Sequence, residues 1–251
     1  MKFILITLYL TFIQHKAVPK YHSQWCGFGA LRNLTDPTQP APMAYRVLGY
    51  PFRKNIYLYH AFKAVGIFAA LFAVWQAFGN TALYVTALVL PFTFWYDCWD
   101  WTIEMAGIYF AIAGNLPAAA LFALLWGLSR ETAPLSGVVY WLAGGDIVDA
   151  ATVGMIAIGA KAAVYAWQGI RPLYCDRFMI RVNNALLMKG SERARISVVV
   201  ILLAVAGVVV HGQVYGLIPL VLIVAGVTMG KLDETRLFSS AVPFIAFLMK
   251  G

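Results

Sequence analysis

The chain has 251 residues, of which 61% are hydrophobic and 12% charged, against about 25% charged in ordinary soluble domains. Its mean hydropathy is +0.74, its net charge +8 and its pI near 9.4. These values exclude a sizeable soluble domain and predict an all-α fold: a polytopic transmembrane bundle of about seven to nine hydrophobic helices in one integral-membrane domain over 1–251.

The first segment, MKFILITLYLTFI, has one lysine ahead of an apolar run too short for an upright crossing, so a short first helix, retained rather than cleaved, is expected. Residues 14–54 form a long polar loop in which Pro19, Pro37, Pro40, Pro42 and Pro51 rule out a continuous helix. Its aromatic content, including Tyr21, Trp25 and Phe28, points to packing on a membrane surface.

The first helices are expected over 56–128. Ile56 to Phe78 is a clear span closed by Gly79 and Asn80, and a second runs from Thr81 to about Tyr96, bent at Pro91. Ala106 to Leu128 reads as one further full span, with Pro117 tolerated because a neighbouring helix can satisfy the freed carbonyl. The stretch 135–169 holds re-entrant or short helices. Leu135 to Gly144 is too short to cross upright, and Ala150 to Trp167 is a fourth candidate span that carries Lys161, whose long stem can snorkel toward an interface. After a basic loop over 171–195, three C-terminal helices are expected within 196–249.

The basic residues gather in the loops 14–54 and 171–195 rather than on one polar face studded with aromatics, which argues against nucleic acid and for anionic membrane lipids as partners. If both loops face the cytoplasm, an even number of crossings separates them, which requires 135–144 not to cross. Cys26, Cys98 and Cys175 form no close pair, and His15, His22, His60 and His211 show no ligand spacing, so no metal site and no cofactor are expected.

Three charged clusters interrupt the oily sequence. Asp97, Asp100 and Glu104 are three and four residues apart, one face of a helix, and three close anions call for cations, a metal or water. The plainer reading is a solvated helix start beside an interfacial belt of Trp95, Trp99 and Trp101. Arg130 and Glu131 are adjacent; neighbours on a helix point about 100° apart, so each is expected to find a partner elsewhere. Asp233, Glu234 and Arg236 form either a polar turn or a third functional cluster. Arg46, just before the first main span, is placed to grip a phosphate or to anchor the chain at the interface.

Taken in order, PMAYRVLGYPF, FTFWYDCWDWTIEMAGIYFAIAGN, LLWGLSRETAPL and DETRLFSSAVPF resemble successive signatures of bacterial multi-pass membrane proteins of the GT-C glycosyltransferase type. The resemblance implies a transferase in the bacterial inner membrane that moves a sugar from a polyprenyl-phosphate donor, a lipid-linked partner, to an acceptor. It also implies a carboxylate base in the first non-cytoplasmic loop, a role that falls by position on Asp36. Arg46, Arg130 and Arg236 would then hold the phosphate, with Asp97, Asp100, Glu131 and Glu234 lining the substrate site. The rival readings are a non-enzymatic structural or assembly subunit, whose charges pair within the bundle or with partner chains, and a transporter or channel. The last is disfavoured because 196–228 is almost purely aliphatic and no broken-helix pair recurs in two halves.

Overall fold

The computed structural model describes residues 1–17, 55–93, 98–130, 132–168, 188–190, 217–229 and 241–243, with single positions at 198, 199, 202 and 206. Every regular element among them is helical: α1 (Lys2–Ala17), α2 (Ile56–Thr93), α3 (Cys98–Ile112), α4 (Leu116–Gly127), α5 (Leu135–Leu142), α6 (Ile147–Gln168) and α7 (Leu217–Met229). The proline-rich part of the first long loop lies outside the described residues, as do most of the second basic loop and the segment 230–240.

Helix α2 runs for 38 residues but breaks at Gly79, whose φ of 79° and ψ of −169° leave the helical region. Only glycine takes such a conformation cheaply, and the break falls where the sequence places the end of the first main span.

The stretch Ala106–Leu128 is not one span. It is a hairpin of α3 and α4, and the reason is local. Gly114 adopts a left-handed φ of 66°, its N–H donates to the Ala111 carbonyl at 3.1 Å, and the Asn115 N–H donates to that of Phe110 at 3.0 Å. This glycine cap closes α3. Asn115 then opens α4, its Oδ1 accepting from the Ala118 N–H at 3.1 Å, with Pro117 in the first turn where its missing N–H costs nothing. Pro117 is thus a start signal rather than a tolerated kink. Phe110 and Phe122 stack across the hairpin at 5.4 Å.

The same punctuation recurs between α5 and α6. Gly144 has a φ of 97°; its N–H donates to the Trp141 carbonyl at 2.9 Å and that of Gly145 to the Tyr140 carbonyl at 3.0 Å. Asp146 then caps α6, its Oδ1 accepting from the Val148 N–H at 2.7 Å. With eight residues, α5 is about 12 Å long and too short to cross a bilayer.

The chain divides into two compact units, one of Met1–Ala73 and Trp95–Tyr174, the other of Val74–Phe94 and Cys175–Gly251. In the first, α1 meets α2 through Phe3, whose ring lies edge-on to Phe68 and Phe72 at 6.0 Å each. The Thr102 hydroxyl of α3 donates to the Gly66 carbonyl of α2 at 2.6 Å. Helix α6 packs on both α4 and α5, and α3 packs on the same two. Glycines allow the closest approaches: a Cβ on Gly127 would come 2.5 Å from the Ala157 carbonyl oxygen, and one on Gly137 would come 2.5 Å from that of Ala150. Trp101, Ile103, Ile108, Trp126, Val139 and Val153 fill the core around these crossings. In the second unit, α2 buries Val74 and Phe78 before the break at Gly79 and Ala82 and Leu83 after it, and α7 buries Ile218, Leu222 and Ile223.

Two helices are long and apolar enough to cross a membrane, over His60–Leu88 and Ile147–Trp167. Only 44% and 33% of their most apolar windows are buried inside the protein, whereas the central helix of a soluble domain would be mostly covered.

Candidate functional site

One buried ion pair ties the hairpin together. Glu104 lies midway along α3 and Arg130 in the link between α4 and α5, 26 residues apart, with Arg130 Nη1 2.7 Å from Glu104 Oε2. Both residues are buried, at 9% and 3% exposure for Arg130 and Glu104. The link is wound around Trp126. Its carbonyl accepts from the Arg130 N–H at 2.8 Å and the Ser129 N–H at 3.0 Å, and from the Ser129 hydroxyl at 3.2 Å. The Trp126 indole N–H in turn donates to Thr132 Oγ1 at 3.2 Å. These bonds fix the direction in which Arg130 leaves the backbone.

A short charge-assisted bond in a water-poor interior compensates the burial of both charges, and it engages one of the five N–H donors of the guanidinium. Arg130 is therefore neutralised by a carboxylate from the neighbouring helix. The expectation that Arg130 pairs away from its sequence neighbour holds.

Of the other residues expected to form a site, Asp100 lies in the first turn of α3, four residues before Glu104, and its side chain is outside the described residues. Asp36, Arg46, Asp97, Glu131, Glu234 and Arg236 all lie outside them as well. Among the described residues no cluster of three His, Cys, Asp or Glu could hold a metal ion. Glu104 belongs to the acidic trio, yet its partner was not apparent from spacing. The signal was present in Gly114, Asn115 and Pro117: a turn there lies near the midpoint of 104 and 130 and folds one onto the other.

Lys161 of α6 is buried at 5% exposure rather than reaching outward, and its ammonium lies 5.6 Å from the centre of the Tyr165 ring. That geometry is a cation–π contact, which offsets part of the cost of burying the charge.

A second feature is a groove of about 390 Å³ between α5 and α6. Val138 and Trp141 form one wall and Ile147, Ala151, Met155 and Ile158 the other. The Trp141 indole N–H is the one side-chain hydrogen-bond donor among the described lining residues. Beside its mouth, Tyr140 is buried at 4% exposure, and its ring lies over Gly145 so closely that a Cβ there would overlap ring carbons. Burial, and then the carboxylates of Asp149 and Asp146, push the Tyr140 phenol above its ordinary pKa of 10.0.

No protein-family model, no curated protein and no solved structure matches this chain.

Proposed function

We propose that the chain is a multi-pass membrane protein that works as a non-enzymatic structural or assembly subunit of a membrane complex. The observation that carries this reading is the Glu104–Arg130 pair: one of the three arginines expected to hold a phosphate is paired, inside the helical unit, with a carboxylate at 2.7 Å. The membrane part is supported by large apolar side chains left exposed on three helices: Leu5 and Leu8 on α1, Val65 on α2, and Val148, Met155 and Trp167 on α6. Exposed apolar surface on this scale marks a membrane or protein interface.

The competing proposal is a GT-C-like transferase using a polyprenyl-phosphate sugar. It is supported by the order of the sequence segments between residues 42 and 246, and in it Arg130 would share its guanidinium between Glu104 and a phosphate or leave the phosphate to Arg46 and Arg236. The two proposals separate in one experiment. Purified protein is incubated with a labelled polyprenyl-phosphate sugar and lipid-extractable acceptors, as wild type and as Asp36→Asn. The structural reading expects no transfer by either form. Transfer that is lost in Asp36→Asn would overturn it in favour of the enzyme.

A further inference from the structure

We propose that the α5–α6 groove is a lipid site that takes one acyl chain of a zwitterionic phospholipid, with the headgroup ammonium against Asp146 and Asp149. The inference rests on the membrane reading above and adds to it a specific ligand.

Three observations converge. The groove volume, about 390 Å³, falls within the roughly 300–1,000 Å³ of small-molecule clefts. Its walls present aliphatic side chains, a thioether and an indole, which suit a hydrocarbon chain and leave the hydrogen-bonding groups of a sugar or nucleotide unmet.

Its depth fits one leaflet. Along α6 the lining runs from Ile147 to Ile158, eleven steps of about 1.5 Å, or roughly 16 Å. Half of a hydrocarbon core is about 15 Å. Ile147 is also the first residue of the membrane-length stretch Ile147–Trp167. In the membrane reading the groove thus has the length along α6 that an acyl chain spans within one leaflet.

The charge at the mouth selects the headgroup. Residues 132–160 contain Asp146 and Asp149 and no lysine, arginine or histidine. Asp146 is exposed and Asp149 half-buried. A fatty-acid carboxylate or an anionic headgroup meets repulsion here, while an ethanolamine or choline ammonium meets attraction. This is opposite to the preference that the chain's overall positive charge would impose on its basic loops.

The test uses Trp141, which is 54% exposed in the groove, and Trp167, 63% exposed at the far end of α6. The full chain is reconstituted into vesicles containing small mole fractions of phosphatidylethanolamine brominated on its acyl chains. The quenching of each tryptophan is read as the difference between wild type and the Trp141→Phe or Trp167→Phe variant. The expected result is that Trp141 is quenched at a lower brominated fraction than Trp167. Ala151→Leu, which fills the groove from its exposed side, should abolish that excess while leaving Trp167 quenching and helix content unchanged. Replacing the probe by brominated phosphatidylglycerol should weaken the excess, and Asp146→Asn with Asp149→Asn should erase the difference between the two lipids.

Equal quenching of the two tryptophans, an excess that survives Ala151→Leu, or a preference for phosphatidylglycerol would overturn the site. So would a Trp141 shielded from both lipids, the outcome if a second copy fills the groove. In all these cases Trp167 quenching would still uphold the membrane reading, whereas the absence of quenching at both tryptophans would remove the membrane reading itself.

Discussion

Arg130 and Glu104 meet at 2.7 Å although 26 residues separate them, because the Gly114–Asn115 turn folds α4 back along α3. Removing one member leaves the other charge in a poorly hydrated interior. Arg130→Met alone and Glu104→Leu alone should each cost about 3–5 kcal/mol, whereas the double variant should recover most of the loss. Unfolding in mixed micelles by a denaturing detergent would show this as a large coupling between the two positions. Additive losses would mean that the pair does not act as a unit.

The α5–α6 crossing predicts an asymmetry between two facing glycines. A Cβ on Gly137 would press into the Ala150 carbonyl oxygen at 2.5 Å and the Gly154 Cα at 3.0 Å, while one on Gly154 would find its nearest neighbours at 3.7 Å. Gly137→Ala should therefore destabilise by about 1–3 kcal/mol through overpacking. Gly154→Ala should be neutral or slightly stabilising, through its better helix propensity. Thermal unfolding of the two variants side by side checks the order.

The α3–α4 turn should respond to its cap chemistry. Gly114→Ala forces a side chain into a left-handed φ of 66° and should cost about 1–2 kcal/mol. Asn115→Ala, which removes the acceptor for the Ala118 N–H, should cost about 1 kcal/mol, and Asn115→Asp should retain most of it. Equal stability of Asn115→Ala and wild type in the same unfolding assay would show that the cap contributes nothing.

Tyr140 gives the chain an alkaline sensitivity. Its phenol ionises above 10.0 in the folded state because burial and the carboxylates of Asp149 and Asp146 disfavour the phenolate. Below pH 10 the stabilising difference is fully present. As pH rises from about 10 through the folded value, the unfolded chain gives up its proton first and stability falls. Unfolding midpoints at pH 9 and pH 11 should differ more in wild type than in Tyr140→Phe; an identical drop in both would assign the effect to other groups.

Much of the helical layout was legible from local residue chemistry. The break at Gly79 and the shortness of the segment 135–144 depend on a single glycine and on length, so they can be read one segment at a time. Ala106–Leu128 misled because its hydropathy is continuous across the turn. Asn115 followed by Pro117 was a helix start written in capping chemistry, and apolar content concealed it. For the candidate site, the adjacency of Arg130 and Glu131 pointed to a partner elsewhere for Arg130, but spacing could not name Glu104 as the acceptor.

By itself the sequence determined the all-helical character and part of the punctuation of its helices, since residue propensities and caps act over a few neighbouring residues. Only the tertiary structure decided that Arg130 is held by Glu104, that Gly137 and Gly127 touch α6, and that Trp141 and Ile147 flank one groove. Those relationships depend on how whole helices cross. Crossing is set by the combined fit of side chains distant in the chain, which no local pattern contains.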